Sequence, residues 1–406
     1  MLVQGGALGT LIWEMAALLV YGNALIFAHE LGHALFARAG GFRVTSFGVG
    51  SGRPLARLPL RGGAIFYIGR LWIGGACHAV PTGPMTRRRF WFHSGGLLVQ
   101  GLIALLLFPF TDTWIIARIA QFNLLVAATN IIPWKWQGTA SDGWYLLDTL
   151  SGGRRETDLL TMRPILVRLS QRQRAVKSPL GQFYASMCLA WSDLIAYQPE
   201  KASPFFDSDP PQSSLEPWFD VLFHYTQSEW HRQLGRPLAA LQTIRNTHLT
   251  RAGELDAQAI GLLALAEARA LVDLQANGQA RQVLGRVVGL SGPTARQAAV
   301  IHLWTWMDTP VSKERVWLTK QVSRFAEQTL LDRMDTVFAL LQAAKRLEDS
   351  HGEVANHARR AAFRITKALM SSLPPIGKDR LRMELRNQLP STHLVPSLLV
   401  TTQPGE

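Results

Sequence analysis

Cysteine is scarce in this chain, whose 406 residues include only Cys77 and Cys188. Neither cysteine belongs to a C-x-x-C pair, so no cysteine-based redox or metal motif is present. Both fall in segments that we place below on the cytoplasmic side of a membrane, where a structural disulfide is not expected. Cysteine therefore does not indicate the chemistry of this protein.

Acidic residues are missing from one long segment of a strongly basic chain. The formal net charge is +13, and residues 34–93 contain no Asp or Glu but have Arg38, Arg43, Arg53, Arg57, Arg61, Arg70, Arg87, Arg88 and Arg89. A nucleic-acid-binding protein would place such an excess on a soluble domain. Here the excess positive charge adjoins apolar runs, where an interaction with anionic lipid is the simpler explanation. We therefore expect a lipid bilayer, and no nucleic acid, among the partners.

Charge of either sign is nearly absent from three apolar runs. About 20 apolar residues in a helix, at 1.5 Å each, cross a hydrocarbon core that is ~30 Å thick. Each run approaches or exceeds this length. The sequence therefore predicts three transmembrane helices, at about residues 7–36, 95–110 and 114–133.

The arginine-rich segment 34–93 determines the orientation of these helices. Basic segments next to membrane helices favour the cytoplasmic side. The amino terminus and the turn at residues 111–113 then lie outside, and everything after Pro133 lies in the cytoplasm. We expect a multi-pass protein of the cell (inner) membrane with a cytoplasmic carboxy-terminal domain.

The sequence His29-Glu30-Leu31-Gly32-His33 lies near the cytoplasmic end of the first predicted helix. On a helix, H-E-x-x-H places two imidazoles on one face, spaced to bind one Zn²⁺, and the glutamate is placed to act as a general base. Ionisable groups in membrane helices are costly and usually functional. The pattern indicates zinc-dependent proteolysis at or inside a bilayer. The alternative is a pair of interfacial histidines.

A catalytic zinc typically has three protein ligands, so a third residue is needed beside His29 and His33. Asp142 is the best candidate because it follows a helix that ends on the same side of the membrane. It also precedes Gly143, which permits a close turn. The alternative role for Asp142 is a helix N-cap for residues 143–150.

A second motif accompanies these residues, Asn130-Ile131-Ile132-Pro133…Asp142-Gly143. Together the two motifs resemble the site-2 protease family of intramembrane zinc metalloproteases, over about residues 8–150. The resemblance implies that His29, His33 and Asp142 bind Zn²⁺ and that Glu30 is the catalytic acid–base. It also implies that Asn130 holds the substrate backbone or stabilises the oxyanion.

The glycine-rich segment after the first helix resembles the juxtamembrane β-structure of that family, and we predict a small β element at about 42–80. The resemblance suggests that an exposed strand edge there binds locally unwound substrate by β-augmentation. Residues 64–68 have the composition of such a strand.

The chain departs from the family pattern at three places. Eight residues, 134–141, separate Pro133 from Asp142, where the family usually has about four. Gln100 occupies the position in the second helix where the family often has asparagine. The family's common PDZ insertion is absent, because the turn at 111–113 is too short to hold it.

The second half of the chain has apolar residues at helical spacing, which predicts a cytoplasmic α-helical domain at 178–390 after a linker at 151–177. Turns that contain Gly235, Gly278 and Gly352 resemble those of tetratricopeptide-type α-hairpins, although their spacing does not fit a strict period. Such an array would bind a cytoplasmic partner or a substrate tail. The alternative is a plain helical bundle that only stabilises the enzyme. Residues 391–406 are expected to form a disordered tail.

The sequence as a whole predicts a mostly α, polytopic membrane protein with a metalloprotease core at residues 1–150. The expected function is hydrolysis of a peptide bond in a single-span membrane protein or a leftover signal peptide, near the cytoplasmic face. This would be regulated intramembrane proteolysis or signal-peptide clearance. The alternative is a non-catalytic membrane adaptor that binds clients through its helical domain. The intact H-E-x-x-H sequence and Asp142 favour the enzyme.

Overall fold

The computed structural model describes residues 7–83, 88–136, 139–150, 158–207, 217–251, 253–285, 334–348 and 352–388. The chain forms two compact units, one from residues 1–153 and 164–186, the other from 154–163 and 187–406. The predicted tail at 391–406 lies outside the described residues.

Three apolar helices form the framework of the first unit: α1 (Ala7–Phe36), α2 (Arg89–Leu107) and α3 (Trp114–Ile131). A short 3-10 turn at Phe108–Phe110 extends α2. Each helix has a stretch that is long and apolar enough to cross a membrane. Large apolar side chains such as Leu102 and Leu105 are exposed, as expected where lipid is the solvent. The three predicted apolar helices are therefore confirmed, although α2 begins at Arg89 rather than at about residue 95.

Helices α1 and α2 cross in backbone contact at a pair of glycines. A Cβ atom added to Gly32 would lie 2.4 Å from the carbonyl oxygen of Gly95, and one added to Gly95 would lie 2.5 Å from that of Gly32. Small residues allow this approach, which membrane helices commonly use to gain van der Waals contact. The crossing brings the H-E-x-x-H turn of α1 against the start of α2.

The β element consists of β1 (Phe42–Pro59) and β2 (Ile65–Pro81). Residues 46–49 of β1 pair with both 65–68 and 75–78 of β2, and residues 54–59 pair with 65–69. The β element predicted at about 42–80 is confirmed. Residues 64–68 were expected to offer an exposed edge, but Ile65–Ile68 are paired on both sides. Within the described residues, the outer segments are therefore 54–59 and 75–81.

The loop after α3 folds as a small hairpin, in which β3 (Lys135–Trp136) pairs with β4 (Thr139–Ala140). Helix α4 (Asp142–Leu150) begins directly after it and packs against α2 and α3. Because the hairpin brings the chain back to the end of α3, the additional loop residues do not move Asp142 away from the membrane helices.

Helix α5 (Asp158–Val176) occupies most of the range 151–177 that was predicted as a linker. Its Arg172 side chain donates to the carbonyl of Gly50 at 3.2 Å, and its Gln173 amide donates to Ser46 Oγ at 3.1 Å. The carboxy-terminal part of α5 is thus joined to the β element by polar contacts. Helix α6 (Pro179–Ile195) follows.

Among the described residues of the second unit, every regular element is a helix. After α6 come α7 (Pro199–Phe206), α8 (Pro217–Gln233), α9 (Pro237–Thr250), α10 (Ala257–Asp273), α11 (Asn277–Gly285), α12 (Met334–Leu347), α13 (Gly352–Ser372) and α14 (Pro375–Gln388). Helices α8 and α9 pack as a hairpin around Gly235, whose φ is +71°. Helices α10 and α11 form a second hairpin. An α-helical domain is confirmed, whereas a tetratricopeptide-type repeat stays a prediction.

Candidate metal centre

His29 and His33 lie one turn apart on α1, with their rings directed to a common point. Their Nε2 atoms are 3.1 Å apart. Both rings are buried, at 5% and 6% exposure. The 3.6-residue period of the helix places positions i and i+4 on one face, which accounts for this arrangement.

Asp142, the first residue of α4, joins the two histidines. Its Oδ2 atom lies 3.0 Å from His29 Nε2 and 3.3 Å from His33 Nε2. Among the described residues, these three form the group of His, Cys, Asp and Glu side chains that is compact enough to hold a metal ion. The structure therefore brings together residues that are more than a hundred positions apart in the chain.

The spacing of the three atoms fits a zinc ion. Ligands ~2.0–2.2 Å from a tetrahedral Zn²⁺ lie about 3.3–3.6 Å from one another, slightly more than the separations found here. Two imidazoles and a carboxylate also form a donor set that zinc commonly uses in catalytic sites. Asp142 Oδ2 is buried and has no other hydrogen-bond partner among the described residues, so a cation is the natural occupant of the space between the three atoms.

Ser141 fixes the position of Asp142. Its hydroxyl donates to the carbonyl of Ile132 at 2.7 Å and accepts from the backbone N–H groups of Trp134 at 3.1 Å and Trp144 at 3.2 Å. The bond from Trp144 is the side-chain bond of a helix N-cap. The cap of α4 is therefore Ser141, which leaves the Asp142 carboxylate directed to the histidines. The alternative of Asp142 as the N-cap is wrong.

The charge of Asp142 suits a metal ligand. Burial acts to raise the pKa of this carboxyl group, but the hydrogen bonds and charges of His29 and His33 outweigh burial and hold the pKa well below its usual range. By contrast, burial raises the pKa of the nearby Cys77 thiol, and the negative charges of Glu30 and Asp142 raise it further. Cys77 therefore stays protonated and is not a thiolate ligand.

Glu30 lies between the histidines in sequence but faces the β element. Its Cγ atom is 2.8 Å from the position that a Cβ atom on Gly75 would take, so the side chain rests against β2. The backbone N–H of Cys77 donates to its carboxylate. The carboxylate is thus held beside the metal centre without being part of the three-residue group.

Asn130 does not join the three residues in this structure. Its Nδ2 atom donates to the carbonyl of Val126 at 2.9 Å, one turn earlier on α3. The predicted substrate-binding role of this residue stays a prediction.

Two contacts around the centre were not predicted. His33 Nδ1 lies 2.7 Å from the carbonyl oxygen of Phe92, and the rings of His93 and Tyr145 stack at 4.7 Å with 7° between their planes. The stack links α2 to α4 just after Asp142. A backbone carbonyl has no residue-type signature, and the stack depends on the register of two helices, so neither was visible in the sequence.

The comparison with known proteins agrees with this geometry. A model of peptidase family M50 matches residues 16–309. The chain belongs to peptidase family M50. This family includes the site-2 proteases, so the resemblance expected from the motifs is confirmed.

Individual relatives of this M50 member are distant. It is 28% identical over 134 residues to the regulator of sigma-E protease RseP of Salmonella typhimurium, and to the same extent to the regulator of sigma E protease of Salmonella typhi. The match covers 30% of this chain and 30% of the length of each relative. No solved structure matches the chain.

Proposed function

We propose that the chain is a zinc-dependent intramembrane endopeptidase of the site-2 protease type. The observation on which this rests is the convergence of His29, His33 and Asp142 at the end of an apolar helix, with Glu30 beside them. Membership of family M50 supports the same reaction class. A non-catalytic adaptor would not require a glutamate next to three convergent ligands.

We assign each side chain of the centre a separate role in hydrolysis. His29, His33 and Asp142 would hold a zinc ion, which would supply Lewis acidity to the scissile carbonyl and the attacking water. Glu30 accepts a proton from that water as the new C–O bond forms. It then delivers the proton to the amine nitrogen as the C–N bond breaks. Buried histidines and the packed start of α2 limit the access of other water to the centre.

The substrate that we propose is a membrane-spanning segment cut near the cytoplasmic face. His29 is 22 residues beyond the start of α1, about 33 Å along the helix axis, which is roughly one hydrocarbon thickness. The arginines of residues 34–93 favour the cytoplasm for that end. Asn130 would turn from the Val126 carbonyl to the substrate backbone or the developing oxyanion.

The names of the Salmonella relatives refer to regulation of sigma E. We accordingly propose a single-span membrane-bound regulator, such as an anti-sigma factor, as the substrate, with a leftover signal peptide as the other case. The helical domain would contact a cytoplasmic partner or the substrate tail.

The test is cleavage of a panel of tagged single-span substrates in reconstituted membranes. Glu30→Gln keeps the three ligands but removes the base, so we expect normal zinc content and a rate about 10²–10⁴-fold below wild type. Glu353→Gln, at an exposed position in the second unit, is the matched control and should cleave normally. Equal cleavage by wild type and Glu30→Gln would contradict the mechanism. A wild type that binds zinc but cuts no substrate would favour the adaptor.

A further inference from the structure

The two histidines of the metal centre differ in what holds their outer nitrogen. His33 Nδ1 lies 2.7 Å from the Phe92 carbonyl oxygen, whereas His29 Nδ1 is buried without a hydrogen-bond partner among the described residues. Both rings direct Nε2 to Asp142, so Nδ1 is the nitrogen that bears hydrogen when Nε2 binds a metal. Histidine ligands almost always donate that second N–H to an acceptor. His29 therefore lacks a partner that its function requires.

Gln100 on α2 has a side-chain amide whose oxygen could accept the hydrogen bond that His29 Nδ1 lacks. Its side chain is fully buried, and neither Oε1 nor Nε2 has a hydrogen-bond partner in the part of the chain that the structure describes. Asn123 on α3 is also fully buried, and its Nδ2 donates to the backbone carbonyl of Gln100 at 2.9 Å. Within the same described residues, Asn123 Oδ1 has no hydrogen-bond partner. A buried amide in a membrane helix normally finds partners, because lipid and apolar side chains offer none.

The helix geometry directs Gln100 to His29. A Cβ atom added to Gly96 would lie 2.5 Å from His29 Cε1, 2.6 Å from Nδ1 and 2.8 Å from Nε2, so the Cε1 side of the ring lies against Gly96, with Nδ1 slightly nearer than Nε2. Gln100 is one turn further along α2, and helical side chains lean toward the amino-terminal end of their own helix. The Gln100 side chain thus leans over Gly96, which has no side chain to intervene.

We propose that Gln100 is a positioning residue for His29. Its Oε1 accepts the hydrogen bond from His29 Nδ1–H, directly or through one bridging water, and its Nε2 donates to Asn123 Oδ1. This relay fixes the tautomer of His29 and directs Nε2 to the metal, as the Phe92 carbonyl does for His33. The inference rests on the proposed function, because it assumes that His29 binds zinc.

The test measures zinc affinity in purified full-length protein by competition with a chromophoric chelator. Gln100→Leu removes both amide groups, and we expect its zinc dissociation constant to rise about 10–100-fold. Gln100→Glu keeps an acceptor at the same reach and should restore affinity to within a few-fold of wild type. The visible spectrum of the cobalt-substituted protein should change in Gln100→Leu and resemble wild type in Gln100→Glu.

Each outcome discriminates between the proposals. Unchanged zinc affinity in a folded Gln100→Leu protein would overturn the positioning role while leaving the proposed function intact. Loss of affinity in Gln100→Leu and Gln100→Glu alike would also overturn it, since a general disturbance of packing predicts that result. A wild type that binds no zinc would overturn both proposals at once.

Discussion

A methyl group has no room at position 143, next to Asp142, the proposed third ligand. A Cβ atom there would lie 1.9 Å from the carbonyl oxygen of Ile131, so α4 can start this close to the end of α3 only with glycine. Asp142 is the neighbouring residue, and any shift of the backbone at 143 moves its carboxylate away from the histidines. The absence of a Cβ atom at Gly143 thus allows the backbone position from which the Asp142 carboxylate reaches the histidines.

We therefore predict that Gly143→Ala lowers the cleavage rate at least about 10²-fold, because displacing a catalytic group by about 1 Å has an effect of this size. Zinc content should fall as well. The control is Gly101→Ala in α2, where a Cβ atom meets open space. The rate of substrate cleavage in membranes and the zinc content of the purified variants check this. Wild-type activity in Gly143→Ala would show that α4 can shift without harm.

The sequence predicts some of these residues better than others for physical reasons. His29, Glu30 and His33 follow from helix periodicity, which depends on local geometry alone. Asp142 follows from the depth at which two apolar helices end. The contacts of Ser141 could not be predicted, because they arise from the folded β3–β4 hairpin. The same holds for the Phe92 carbonyl, since every residue type has one.

At the scale of elements, α5 is joined to the β element through Arg172 and Tyr67. The guanidinium donates to the Tyr67 hydroxyl and lies 4.9 Å above the centre of its ring. That hydroxyl donates in turn to the carbonyl of Ala76 at 3.1 Å. Burial raises the pKa of Tyr67 to about 12, so the hydroxyl keeps its proton at physiological pH. One phenol thus connects α5 to two separate positions of β2.

Tyr67→Phe should destabilise the first unit by about 1–3 kcal/mol, because the Ala76 carbonyl loses its phenol donor and Arg172 Nη2 keeps only one of its two acceptors, the Gly50 carbonyl. We expect the thermal unfolding midpoint in detergent to fall by a few degrees. Arg172→Gln should lower it similarly, whereas Arg168→Gln, at an exposed position of the same helix, should not. A midpoint unchanged by both Tyr67→Phe and Arg172→Gln would contradict a stabilising role.

The range that holds α5 was predicted as a linker because its glycine-rich start and mixed polar composition lack a strong apolar period. Its polar contacts with the β element join residues more than a hundred positions apart in the chain, which local composition does not reveal. The three apolar helices, by contrast, could be predicted because length and hydropathy alone decide whether a segment suits a bilayer.

At the scale of the whole molecule, an odd number of membrane crossings would place the amino terminus and residue 238 in α9 on opposite sides of the membrane, and we propose this orientation. The arginines of residues 34–93 favour the cytoplasm for the side that holds the β element. Asp112, in the turn between α2 and α3, then faces the outside. Leu238 in α9 is exposed and would face the cytoplasm.

Cysteine labelling can check this orientation in a background with Cys77→Ser and Cys188→Ser. In right-side-out vesicles, a membrane-impermeant maleimide should label Asp112→Cys and leave Leu238→Cys unlabelled until detergent is added. In inside-out vesicles the pattern should reverse. Labelling of both residues from one side would contradict three membrane crossings.

The convergence of His33 and Asp142 has a consequence for folding. The two residues enclose about 110 residues of chain, which include the β element and the helices α2 and α3. A metal ion bound by both is therefore a cross-link around the entire core, and closing so long a loop restricts the unfolded chain considerably. The free energy of metal binding in such a site adds to the free energy of folding. The ion that is proposed for hydrolysis would therefore also stabilise the packing of α4, the last helix of the core, against α1, the first.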